Sequence, residues 1–121
     1  MVHPLIIAHR GFSSERPENT ISSFDHAFNN GFNLLELDVH LSSDGVLVVM
    51  HDERVDRTTN GTGFLKSMTY KEISQLDAGS WFRGTDEVSY AGQVVPSLDQ
   101  FLSRYSSKVH VFIEIKSLEE E

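Results

Sequence analysis

Apolar residues along this chain fall into short unbroken runs, interleaved with stretches where they recur at helical spacing. The run Leu5 to Ala8 is too short for a helix and too continuous for a surface loop, so it predicts a strand buried on both faces. After HRGF, the segment PENTISSFDHAFNNG places Ile21, Phe24 and Phe28 on one helical face, with Asn19 as the expected N-cap and Gly31 as the left-handed stop. Residues 33–41 and 46–51 again read as strands, parted by the turn formers Ser42, Ser43, Asp44 and Gly45. Residues 53–95 lack a sustained period. They read as an excursion with one short helix near 69–76, opened by Thr69 and Glu72 at capping-box spacing. Trp81 and Phe82 are expected to form its small core. Regular structure resumes at VPSLDQFLSRY, where Ser97 and Gln100 form a second capping box ahead of the stripe Leu98, Phe101, Leu102 and Tyr105. The final strand is VHVFIEIK.

The order is therefore β, α, β, β, excursion, α, β. Strands that are near-continuous apolar runs belong to mainly parallel sheets or barrels with helices outside. The expected fold class is α/β, with residues 53–95 as a small insertion between the third strand and the helix after it. Four strands make half of a (β/α)8 barrel, and 121 residues are about half of the ~250 such a barrel takes.

Charge and composition narrow the partners. Ten Lys and Arg stand against 18 Asp and Glu, a formal charge of -8, and a field of that sign repels phosphate backbones, which argues against nucleic acid. The absence of cysteine excludes disulfides and thiolate metal ligands. His9 and Arg10 interrupt the N-terminal apolar stretch, and no later run approaches the ~20 residues of a membrane span, so a soluble cytoplasmic protein is expected.

Each strand candidate ends in ionisable residues: His9 and Arg10, then Asp38, then His51 and Asp52, then Lys116. In parallel α/β architectures the carboxyl ends of strands share one edge, where active sites are built. Alternation turns Glu36 and Asp38 to the same side, away from Leu35, Leu37 and Val39, and does the same for Glu114 and Lys116. Carboxylates at 36, 38 and 114 would then meet at one mouth. Crowded anions away from water need a counter-charge, and an all-oxygen set favours Mg²⁺ or Ca²⁺. If 34–51 is a hairpin turning near Ser43 and Asp44, residue 38 lies opposite about residue 50; if the strands are parallel, Asp38 and His51 share the carboxyl edge. His51 nears the carboxylates either way. Two histidines beside a cation suit phosphodiester cleavage, one taking a proton from the attacking oxygen and one giving a proton to the leaving oxygen. Arg10 and Lys116 would neutralise the phosphoryl oxygens.

Each of these features also has a plainer reading. Glu36-x-Asp38 by itself is the pattern of an amphipathic strand, HRG that of a turn, and Glu114 with Lys116 that of a surface ion pair of little worth. RTTNGTG lacks the strand-to-helix context of a phosphate cradle and reads as turns. His3, His26, His40 and His110 read as surface or packing residues. The joint occurrence at all strand ends favours a site.

Taken together, IIAHRGFSSERPENT, ELDVHLSSDGVLVVMHDERVDRTTNGTG, VPSLDQFL and FIEIK resemble the glycerophosphodiester phosphodiesterase family, a TIM-barrel group, over residues 5–117. The resemblance implies His9 and His51 as acid and base. It implies Glu36, Asp38 and Glu114 as ligands of a divalent cation, and Arg10 and Lys116 as phosphate contacts. Glu18 and Asn19 match the family's PENT element, and 53–95 its insertion domain. The implied reaction is hydrolysis of a glycerophosphodiester, a small molecule, to sn-glycerol 3-phosphate and an alcohol. The alternative is a non-catalytic half-barrel that keeps the cation site and covers its open edges by self-association.

Overall fold

The structure, a computed structural model, describes residues 6–85, 87–105 and 107–116. Leu5, the expected start of the first strand, and the acidic tail after Lys116 lie outside the described residues. Strand β1 covers Ile7–His9, helix α1 Ile21–Asn29, strand β2 Leu34–Leu41 and strand β3 Leu47–Val49. A 3₁₀ turn at Leu65–Ser67 and the one-turn helix α2, Tyr70–Ile73, follow; helix α3, Leu98–Tyr105, and strand β4, His110–Ile115, complete the order. No helix among the described residues is long and apolar enough to cross a membrane.

Strand β2 is the centre of the sheet. It pairs in parallel with β1, Ile7 against Leu34 and His9 against Glu36, and in parallel with β4, Leu34 against His110 through Val39 against Ile115. Strand β3 folds back antiparallel, with Val39 opposite Val49 and Leu41 opposite Leu47. The sheet is thus mixed, and a mainly parallel arrangement holds for β1, β2 and β4 only. The physical reason is the connection: Ser42 to Val46 closes a tight turn in which the Ser42 amide donates to the Val46 carbonyl at 2.9 Å and Gly45 takes a φ of 81°. So short a link cannot carry a crossover helix. The hairpin register that results places residue 38 opposite residue 50, and the Met50 amide donates to the Asp38 carbonyl at 3.0 Å.

Alternation along β2 and β3 divides the apolar side chains between two cores. Leu35, Leu37, Val39 and Val49 pack with Ala8 under Phe24 and Ala27 of α1 and Phe101 and Tyr105 of α3. Phe24 and Phe101 meet edge to face at 4.7 Å. Val48 and Met50 turn the other way and pack with Val55, Leu65, Ile73, Ala78 and Val95. The excursion's core is therefore aliphatic and continuous with β3. Trp81, expected to lie in it, stays half-buried with its indole donating to the Ala78 carbonyl, while Phe82 meets Tyr90 edge to face at 5.7 Å.

Both capping boxes form: Thr69 with Glu72, and Ser97 with Gln100 at 3.1 Å in each direction. Helix α2 is shorter than expected, because after Ile73 the Leu76 amide turns to the Ile73 carbonyl, three residues back, and the helical ladder lapses. Helix α1 is capped by Thr20, whose hydroxyl accepts from the Ser23 amide at 3.2 Å, and not by Asn19. At its other end Gly31 adopts a φ of 86°, the expected left-handed stop.

The described residues of the first apolar run, 6–8, are not buried on both faces. Ala8 sits under the helices, but Ile7 is 55% exposed, and Phe112, on the same face of β4, is 66% exposed. This inner face of the sheet is open at β1 and β4 and closed at the middle of β2, where Leu34, Asp38 and His40 are buried.

Candidate active site

The carboxyl ends of β1, β2 and β4 share one edge, and the sheet register brings the expected acidic residues together there. Asp38 lies directly opposite Glu114, and Glu36 opposite His9. One carboxylate oxygen from each of Glu36, Asp38 and Glu114 falls within 4.8 Å of the others. Burial of Glu36, and then the neighbouring Asp38 charge, push its carboxyl up from its ordinary value.

Asp38 is the buried member, at 1% exposure. Its Oδ2 accepts from the Asn19 side-chain amide at 3.2 Å and lies 3.5 Å from Arg10 Nε. Its Oδ1 is buried with no hydrogen-bond partner. A buried carboxylate oxygen left without a donor is costly unless something positive meets it. Three carboxylates within reach of a common point, one with an orphaned oxygen, fit a hard divalent cation, and the all-oxygen donor set fits Mg²⁺ or Ca²⁺.

His9, at the end of β1, is largely exposed, with Nε2 3.8 Å from Glu36 Oε2. Arg10 follows in the left-handed region, φ 59°, and its amide donates to the Glu36 carbonyl at 2.9 Å and to Oε1 at 3.1 Å. That turn folds its guanidinium inward, between Asp38 and Glu18, the latter at 3.4 Å. The HRG turn is pinned to the first turn of α1 by Asn19 N–H and Ser23 O–H, both donating to the Arg10 carbonyl. Lys116 continues the parallel ladder, its amide donating to the Val39 carbonyl, and its ammonium donates to Glu114 at 2.9 Å. This contact holds the Glu114 carboxyl below and the Lys116 amine above their ordinary values.

His51 follows β3. Its Nδ1 pairs with Asp52 at 2.8 Å, and its backbone carbonyl accepts from His40 Nε2 at 2.8 Å. Asp52 in turn accepts from Arg57 Nε and Nη2 at 2.9 and 3.0 Å. Arg57 also donates to both oxygens of Glu18, at 3.2 and 2.8 Å. The Arg57 guanidinium holds the Asp52 carboxyl down to about 2, with His51 adding to the effect. A small cleft beside this network is lined by Glu18, Asn19, His51 and Thr58 over Val49 and Met50.

Of the seven residues named from the sequence, His9 ends β1 with Arg10 just beyond it, Glu114 and Lys116 flank the last residue of β4, His51 lies two residues past β3, and Glu36 and Asp38 lie within β2. Three contributors escaped sequence reasoning. Arg57 sits in RTTNGTG, which does form turns, and nothing local marks its reach to residues 18 and 52. Asn19 was read as a helix cap and serves Asp38 instead. His40 was read as packing; its place on the inward side of β2, two residues after Asp38, is the signal that pointed to it.

The profile of the glycerophosphoryl diester phosphodiesterase family matches residues 9–121, and the chain belongs to that family. A glycerophosphodiester phosphodiesterase of Caldanaerobacter subterraneus is 50% identical over 114 residues, 93% of this chain and 45% of the relative. A crystal structure of glycerophosphodiester phosphodiesterase from Agrobacterium tumefaciens superposes with a TM-score of 0.83 at 46% identity, over 90% of this chain and 46% of that one. A phosphodiesterase of Oleispira antarctica, solved in complex with the product sn-glycerol-3-phosphate, gives a TM-score of 0.84 at 38% identity, covering 93% and 44%. The chain spans less than half the length of these relatives.

Proposed function

We propose that this chain is the N-terminal half of a phosphodiesterase (β/α)8 barrel, with residues 53–95 as an insertion, and that it carries the acid–base and cation-binding residues for hydrolysing glycerophosphodiesters to sn-glycerol 3-phosphate and an alcohol. The observation that carries this reading is the meeting of Glu36, Asp38 and Glu114 at one sheet edge beside His9, with the orphaned Asp38 oxygen among them. Family membership and the product bound to the Oleispira relative support the substrate class.

Glu36, Asp38 and Glu114 would hold the cation, which when bound would supply positive charge at the phosphoryl oxygens and acidify the attacking water. The rest of the chemistry belongs to the chain. Asp52 is ionised and can only accept, so the His51 proton resides on Nδ1 and Nε2 offers a lone pair. His51 is thereby set up to take the proton of the attacking water. His9, beside the Glu36 carboxylate, is set up to give a proton to the leaving alcohol oxygen as its bond to phosphorus breaks. Arg10 and Lys116, now turned to carboxylates, are the cations available to the phosphoryl oxygens.

The test is release of glycerol 3-phosphate from glycerophosphocholine, with and without added Mg²⁺ or Ca²⁺. Activity that needs the cation and is lost in both His9→Ala and His51→Ala is the expected result. Cation-independent turnover, or full activity in both variants, sinks these assignments. The open apolar face at Ile7 and Phe112 favours a second reading, a non-catalytic half-barrel that self-associates. A dimer by light scattering that binds cation but turns nothing over would select it.

A further inference from the structure

Arg57, in the excursion, reaches both sides of the mouth. It sits five residues beyond Asp52 and 39 beyond Glu18, and its fork is shared between them: Nε and Nη2 to Asp52, Nη1 and Nη2 to Glu18, all between 2.8 and 3.2 Å. Asp52 bears on His51 Nδ1, and Glu18 bears on Arg10 Nη1. The unbroken chain is His51, Asp52, Arg57, Glu18, Arg10. A guanidinium engaged by two carboxylates in this way has its planar donors occupied, which sets it apart from a cation waiting for phosphate. Neither Asp52 nor Glu18 belongs to the carboxylate trio, and the network meets the cation site through Arg10, whose Nε lies 3.5 Å from Asp38.

We infer that Arg57 is a positioning residue: by clamping Asp52 to Glu18 it fixes the imidazole of His51 and the guanidinium of Arg10 in one geometry, and so makes the excursion a structural part of the catalytic mouth. The inference rests on the phosphodiesterase reading for its kinetic consequence, but not for its structural one. Without Arg57, two carboxylates face each other across the gap with no charge between them, and Asp52 is free to turn from His51. The imidazole then loses its preference for the Nδ1–H tautomer. Lysine cannot replace the arginine, because a point charge does not span two carboxylates with parallel bonds.

The experiment compares the protein with Arg57→Gln and Arg57→Lys. Nitrogen-resolved NMR of His51, above its titration, is expected to show the Nδ1–H form in the wild type and a shift toward Nε2–H in both variants. With glycerophosphocholine and Mg²⁺, kcat is expected to fall about tenfold to a hundredfold, with KM changed less than about threefold. Calorimetric affinity for Mg²⁺ should not move, since Arg57 touches none of Glu36, Asp38 or Glu114. A wild-type tautomer in Arg57→Gln, or wild-type kcat in Arg57→Lys, overturns the inference. So does a loss confined to KM, which would make Arg57 a substrate contact. If Arg57→Gln does not fold, Asp52→Asn gives the same tautomer readout with the fork to Glu18 left in place. If the wild type shows no turnover, the proposed function fails while the tautomer comparison still decides the role of Arg57.

Discussion

Asn19 donates its side-chain amide to Asp38 Oδ2 at 3.2 Å, leaving Oδ1 of the same buried carboxylate without a partner. Asn19 itself sits in the left-handed region, φ 57°, a conformation asparagine tolerates better than most residues, and this backbone kink swings its amide from the helix end to the carboxylate. The pairing satisfies one oxygen of Asp38 and leaves the other unpaired. Asn19→Gly keeps the backbone conformation accessible and removes only the amide. It is expected to weaken Mg²⁺ affinity by about tenfold to a hundredfold, read by calorimetric titration. Unchanged affinity would show that the carboxylate is held by the sheet alone.

Gly11 makes the HRG turn possible. Its φ is 82°, and a Cβ there would lie 2.8 Å from the Cβ and carbonyl carbon of Ser23 and closer still to its hydroxyl. Gly11→Ala therefore strains both the backbone and the contact with α1, at a cost of about 2 kcal/mol or more. Adding Ser23→Ala relieves only part of this, since the φ and the backbone contact remain. Denaturant midpoints of the single and double variants decide it; complete rescue would mean that the hydroxyl alone was the obstacle.

The depressed Asp52 carboxyl makes stability depend on acid pH. Its folded value of about 2 lies below the ordinary 3.8, so its contribution is fully present above the ordinary value and is lost as pH falls toward 2. Discounted for solvent screening, the shift contributes about 1 kcal/mol at this half-buried group. Asp52→Asn should lose less stability than the wild type between pH 5 and pH 2, measured by chemical denaturation. Parallel acid profiles for the two proteins would show that Arg57 does not stabilise the ionised form.

Lys116 competes for Glu114. The pair is 2.9 Å apart but exposed on the Glu114 side, where solvent screens the attraction. Lys116→Met is accordingly expected to tighten Mg²⁺ binding by no more than about fivefold while raising KM for glycerophosphocholine. Calorimetry and steady-state kinetics on one preparation separate the two effects. Weaker cation binding in Lys116→Met would show that the ammonium holds Glu114 in place rather than competing for it.

Much of the architecture was legible in one dimension, and the reasons are local. Leu35, Leu37 and Val39 alternate with Glu36 and Asp38, so the pleat alone assigns them to opposite faces, and they occupy them. The turn formers at 42–45 set the hairpin register that places residue 38 opposite 50. Thr69 with Glu72 and Ser97 with Gln100 cap as their spacing requires, because both partners lie within one helical turn.

Where the local rules failed, a distant partner outbid them. Asn19 has the chemistry of an N-cap, but Asp38 competes for its amide and Thr20 takes the helix end. Leu5 to Ala8 reads as doubly buried, yet of its described residues 6–8 only the helix-facing Ala8 is covered, since burial depends on what the rest of the fold lays against a strand. Arg57 belongs to a turn by composition and to the candidate site by position, because its partners are residues 18 and 52, brought to it by the packing of the excursion against β3. The sequence by itself determined which faces are apolar, where chain reversals fall, and that acids and imidazoles cluster at strand ends. Each of those follows from backbone periodicity within a few residues. Tertiary structure alone decided which oxygen of Asp38 stays unpaired and which guanidinium bridges which carboxylates, because those outcomes depend on contacts between segments that sequence separation does not encode.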